Sequence, residues 1–205
     1  MRAKRTTLAL IALTLCPGCG SQAPAPVPAS AGVDPRVARE EGLVPTRIGR
    51  GPEFVPRARA LESGCSSGSL RGRYRAHLEL FGRRHAVVIP AGIGLGPPLR
   101  RTQSSRIVAA GCRGAARTLD PAGVIDFDRT DLTLGDLFEI WGEPLGPNRM
   151  ASFSGPVTAF VGGERVKGDP TAIALRDGAQ IVLQVGGFVP PHRTFLFPLR
   201  GSDGT

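Results

Sequence analysis

The spacing of apolar and polar positions divides the chain into three stretches of different character. Thr6 to Leu15 is a run of ten uncharged, mostly apolar residues that leads into Cys16-Pro17-Gly18-Cys19. It is about half the roughly 20 residues a membrane-spanning helix needs. Gly20 to Pro56 has no period and carries Pro24, Pro26, Pro28, Pro35, Pro45, Pro52 and Pro56 among Ala, Ser and Gly. Prolines at that density keep a chain extended and deny it a packed core. Leu61 to Pro198 alternates short apolar runs with turn residues, as a folded domain does. The predicted organisation is a leader over 1–18, a disordered tether over 19–60, a globular domain over 61–200 and a short tail over 201–205.

Within the third stretch, Leu78 and Leu80 alternate with His77 and Glu79, the period of a strand. Phe81-Gly82-Arg83-Arg84 turns the chain, and Ala86 to Ile89 returns until Pro90 stops it. Ile107 to Ala110 and Gly123 to Phe127 are further strand candidates. Leu134, Leu137, Phe138 and Trp141 recur at helical spacing, with Thr133 placed to cap and Asp136 three residues on. Leu132 stands where it can staple onto Leu137, and Gly142 with Pro144 ends the helix. Val157 to Val161 and Glu164 to Val166 flank Gly162-Gly163, a hairpin signal. Asp177-Gly178 is another turn. In Ala179 to Val185, Ile181, Leu183 and Val185 share one face. The expected fold is α+β: a small mixed sheet with one main helix packed across it, in the manner of a β-grasp.

Composition and charge change the picture at the N-terminus. Arg2, Lys4 and Arg5 precede the apolar run, the layout of a secretory signal. Leu15 to Cys19 resembles a bacterial lipobox, in which a cysteine is acylated and becomes the new N-terminus. Cys19, between Gly18 and Gly20-Ser21, is the expected lipid anchor, with Cys16 the runner-up. Stable anchoring takes more than one acyl chain, which a diacylglyceryl cysteine carries. The expected location is therefore the cell envelope, at the outer face of the cytoplasmic membrane, with the membrane engaged through the lipid. The formal charge of +9 falls to about +6 once the leader is removed. The arginines are scattered and aromatics make up only 5% of residues. That argues against a stacking surface for nucleic acid and fits a basic surface near anionic headgroups.

Two cysteines remain, Cys65 and Cys112. In an exported chain they read first as a structural disulfide, with free thiols or a redox pair as the alternatives. Gly64-Cys65-Ser66-Ser67-Gly68 matches the nucleophile-elbow pattern, but no strand precedes it and no helix follows. Ser66 is thus an outsider for hydrolysis. Gly92 to Gly96 runs into Pro97-Pro98 and cannot open a phosphate-binding helix. His77, His85 and His192 form no H-x-H or H-x-x-H pair. Asp120, Asp126 and Asp128 lack the spacing of a calcium loop.

Arg73 to Leu95 (RYRAHLELFGRRHAVVIPAGIGL) and Cys112 to Gly142 (CRGAARTLDPAGVIDFDRTDLTLGDLFEIWG) together resemble a family of exported actinobacterial-type proteins without an established activity. PAGIGL and TLGDLFEIWG are the most specific pieces, and the likeness spans roughly Cys65 to Pro198. That family carries clustered histidines in YHIHAHL, HTHD and GIIHIE segments, which implies a metal site. Here Arg73 and Arg75 stand for two of them, Arg117 and Leu119 for two more, and Phe127 for the last. Only His77 matches, beside Asp120. Cys65 and Cys112 match the family's cysteines, which supports the bridge. The expectation is a non-catalytic envelope lipoprotein with no cofactor, acting through an envelope partner. The alternative is a residual copper- or zinc-type metal binder using His77 and Asp120, with His85 a third candidate.

Overall fold

Alternation in Tyr74–Gly82 (β1) decides the architecture, because each face of this strand meets a different layer. The computed structural model describes residues 46–50, 53–54 and 65–198. The leader, both lipobox cysteines, most of the tether and residues 199–205 lie outside the described residues. The remaining strands of the main sheet are His85–Val87 (β2), Ala116–Thr118 (β3), Val124–Phe127 (β4), Val157–Val161 (β5), Glu164–Val166 (β6) and Gln180–Val185 (β7). The one α-helix among the described residues is Leu134–Trp141 (α1). The sheet runs β6-β5-β7-β1-β4-β3, and β2 pairs with the far half of β1. β1 and β7 are parallel, and every other pairing in this sheet is antiparallel.

The fold is α+β. The strands β2-β1-β7-β5-β6, with first and last parallel at the centre and the helix between second and third, follow the β-grasp order. The β3–β4 hairpin is inserted ahead of the helix and occupies the edge of β1 that β2 leaves open. Ala76, Leu78 and Leu80 of β1, Ile125 and Phe127 of β4, and Ile181, Leu183 and Val185 of β7 face one core. Leu134, Leu137, Phe138 and Trp141 of α1 cover it, none more than 1% exposed. Burial of this kind contributes about 25 cal/mol per Å² of apolar surface.

Helix α1 forms where its caps allow. Thr133 Oγ1 accepts the Asp136 N–H at 3.3 Å, and Asp136 Oδ2 accepts the Thr133 N–H at 2.7 Å. Gly142 ends the helix in the left-handed region at φ 77°, its N–H shared between the Phe138 and Glu139 carbonyls, and the Glu143 N–H reaches the Phe138 carbonyl at 3.0 Å. This is the glycine-terminated exit that an L side chain would strain. Leu132 is buried in the same core as Leu137, as a staple requires.

Small sheets rim the core. Leu95–Gly96 pairs with Cys112–Arg113, Arg100–Arg101 with Ile107–Ala109, and Leu145–Gly146, Arg149–Met150 and Phe153–Ser154 make a three-stranded meander. Cys65 and Cys112 are joined by a disulfide with Cα atoms 5.4 Å apart. Gly96 lies against it, where a Cβ would stand 2.4 Å from Cys112 Sγ. Within the stretch read as tether, Ile48 forms a parallel bridge with Ala86 of β2 and Phe54 is buried in the main core.

Candidate functional site

The second face of the sheet carries polar side chains where the first carries leucines. Arg117 of β3 sits opposite Asp126 of β4, and Asp126 opposite Arg75 of β1. Two residues along β1, His77 sits opposite Gln180 of β7. These five therefore share one face, because side chains alternate along each strand and register aligns them across strands. Phe127 does not belong to this row. It faces the main core and is fully buried, so the residue that shares the face of Arg75, His77 and Arg117 is Asp126.

His77 is 4% exposed, and both its ring nitrogens are engaged. Nε2 lies 2.7 Å from the Ala122 carbonyl, which can only accept, so Nε2 carries a proton. Nδ1 lies 2.7 Å from the Gln180 side-chain amide. Burial pushes the His77 pKa below its ordinary value, against the nearby Glu79 charge and the Ala122 carbonyl. A neutral ring protonated at Nε2 accepts at Nδ1. It thus calls for the Gln180 amide N–H, a buried group otherwise without a partner among the described residues.

Residues 188–198 lie across this face as a strap. Phe195 stacks on the His77 ring at 3.6 Å and 8°. His192 Nδ1 donates to both Glu79 oxygens at 2.9 Å, which raises the His192 pKa. The Arg75 guanidinium lies 5.3 Å from the Phe197 ring centroid and donates to the Pro198 carbonyl at 2.8 Å. The Gln184 side chain brackets Val189, accepting its N–H at 3.0 Å and donating to its carbonyl. Among the described residues, the strap from 188 to 198 has no backbone-to-backbone hydrogen bond. Among the described residues, side-chain hydrogen bonds and ring contacts hold it down.

Beside the strap opens a cleft of about 1030 Å³, walled by β1, the β1–β2 turn, the 121–123 turn and the start of the strap. Phe81 and Val189, which with Phe160 and Val182 form a second small core, line it together with Phe188. Arg47, Arg83 and Arg84 line it as well.

The remaining residues singled out by sequence each have other partners. Asp120 is ion-paired with Arg106 and accepts the Ala122 N–H at 3.1 Å. His85 is exposed, and its Nδ1 donates to the Arg83 carbonyl at 2.9 Å. No group of three or more His, Cys, Asp or Glu able to hold a metal ion occurs among the described residues. Ser66 is exposed, and its backbone pairs with Arg113 rather than forming a strand-to-helix elbow. Sequence reasoning missed the strap and the arginine-lined cleft. A signal was there: three of the nine phenylalanines, Phe188, Phe195 and Phe197, follow the last strand among prolines.

No family model, curated protein or solved structure matches the chain. Its own geometry therefore carries the functional argument.

Proposed function

We propose that this protein is a non-catalytic lipoprotein of the cell envelope. Cys19 carries the acyl chains, the Pro-rich segment spaces the domain from the membrane, and the domain binds an envelope partner. The single observation that supports this most is the Cys65–Cys112 disulfide. Cytosolic thiols are kept reduced, whereas exported domains accumulate structural bridges. The leader and the lipobox-like cysteines supply the route outward. A binding role suits a face whose polar groups are held by one another and by the strap, beside an open cleft lined by residues from four parts of the chain.

The mass of the mature protein extracted from membranes tests this reading. The expected species begins at Cys19, carries a diacylglyceryl group, and yields thiols at Cys65 and Cys112 only after reduction. An uncut leader, or an unmodified Cys19 with both domain thiols free, overturns it.

A further inference from the structure

The β1–β2 turn is built from residues its backbone disfavours. Gly82 pairs with His85, so the loop has two residues, Arg83 and Arg84, at φ 51° and 69°. A two-residue turn with both φ positive is the niche of Asn-Gly. Long side chains are outliers there, and such strain is concentrated at ligand clamps and switches. The Arg83 N–H donates to the Val185 carbonyl at 2.7 Å, and the aliphatic parts of Arg83 and Arg84 lie against Gly186 and Gly187, but neither guanidinium has a close ion partner among the described residues. The Arg83 side chain is 70% exposed, and its one ion contact among the described residues is Glu53 at 3.8 Å. Arg84 and Arg47 have no ion partner among the described residues.

All three arginines line the same cleft. Its one carboxylate among the described lining residues, Glu79, is already taken by His192. The cleft thus presents an excess of positive charge. Part of the cleft's lining is apolar: Phe81 and Val189 are buried, and Phe188 is 64% exposed. An exposed aromatic lining the same cleft as three guanidinium groups complements a molecule that is anionic at one end and hydrocarbon at the other. Arginine forks suit oxyanions, and a volume near 1030 Å³ lies at the upper end of small-ligand pockets.

We propose that this cleft binds an anionic amphiphile, its oxyanion head held by Arg83, Arg84 and Arg47 and its alkyl body laid over Phe81, Phe188 and Val189. The inference rests on the binding role proposed above and gives that role a ligand class. A phosphate lipid and a fatty acid share this chemistry.

Calorimetric titration of the full acylated chain in phosphatidylcholine nanodiscs, with empty nanodiscs as blank, tests it using octyl phosphate, octanoate, inorganic phosphate and octanol. Saturable binding of octyl phosphate or octanoate, at least tenfold tighter than inorganic phosphate or octanol, is expected. The tighter of the two anionic amphiphiles identifies the head as phosphate or carboxylate. R83N/R84G supplies the residues the turn prefers, so it folds at least as well, and it is expected to weaken amphiphile binding at least tenfold. No saturable binding of either amphiphile, equal affinity for inorganic phosphate, or unchanged affinity in R83N/R84G overturns the site. Failure of the lipoprotein reading shows separately, in the mature N-terminal mass; an unacylated chain is titrated free in buffer with the same expected ranking.

Discussion

Arg117 has no exposed surface, and its charge is answered by Asp128 at 2.8 Å. Its other N–H groups reach the carbonyls of Leu70 and Gly114. Arg113 shares the same carboxylate. Burial by itself would raise the Asp128 pKa, but the Arg117 hydrogen bond and charge hold it below the ordinary carboxylate value. Its contribution to stability is therefore present above about pH 4 and is lost as pH falls through the lowered value. Asp128→Asn leaves a cation buried without its counter-charge, which in such pairs costs about 3 to 5 kcal/mol. The lower end is expected here, since two carbonyls still hold the guanidinium. Urea unfolding at pH 7 measures it, and an unchanged midpoint would show that the pair is not needed. Asp126 behaves in the opposite sense. Burial raises its pKa against the Gly72 N–H and the Arg117 charge.

At the scale of elements, local pattern suffices where a period, a cap or a turn signal stands in a few adjacent residues. The helix bounds at Leu134 and Trp141, the capping box and the Gly162-Gly163 hairpin follow from spacing a few residues long. The inserted Ala116–Thr118 strand and the Leu145–Ser154 meander were not legible, because two- and three-residue strands carry no period. The strap was missed for a related reason: it has no regular structure, and its partners lie far away in sequence. Its docking should depend on pH in two senses. Held by Glu79, His192 has a raised pKa, so its contribution is complete below about 6.5 and is lost as pH rises through the raised value. His77, buried neutral under Phe195, has a lowered pKa, so docking weakens as pH falls below about 6.5 toward that value. The ring-to-ring NOE between Phe195 and His77, which reports the docked strap directly, is expected to peak in strength near pH 6.5. His192→Gln should flatten the alkaline side of that peak. A profile in H192Q identical to the parent would sink this account.

For the whole molecule, the bridge between Cys65 and Cys112 closes a loop of 47 residues that contains β1, β2 and the Gly92–Gly96 turn. Closing a loop of that length stabilises a domain by about 4 kcal/mol in the chain-entropy model, a sizeable share of ordinary domain stability. Cys65→Ala with Cys112→Ala should lower the unfolding free energy by about that amount, read from the shift in urea midpoint. A loss under about 1 kcal/mol would mean that the Arg113–Asp128–Arg117 network holds the same segments without the bridge.

The sequence by itself determined the elements whose signal is a short period or a cap: the long first strand, the helix at Leu134–Trp141, the closing hairpin and strand, and hence the α+β class. These are local, because side-chain direction in a strand or helix repeats within two to four residues. Only the tertiary structure decided that Arg75, His77, Arg117, Asp126 and Gln180 share one face, that Phe127 turns away from it, and that a tail folds back over them. Those relations depend on register between strands up to about a hundred residues apart. A shift of one residue in any pairing would invert them, and no pattern within a single segment encodes that choice.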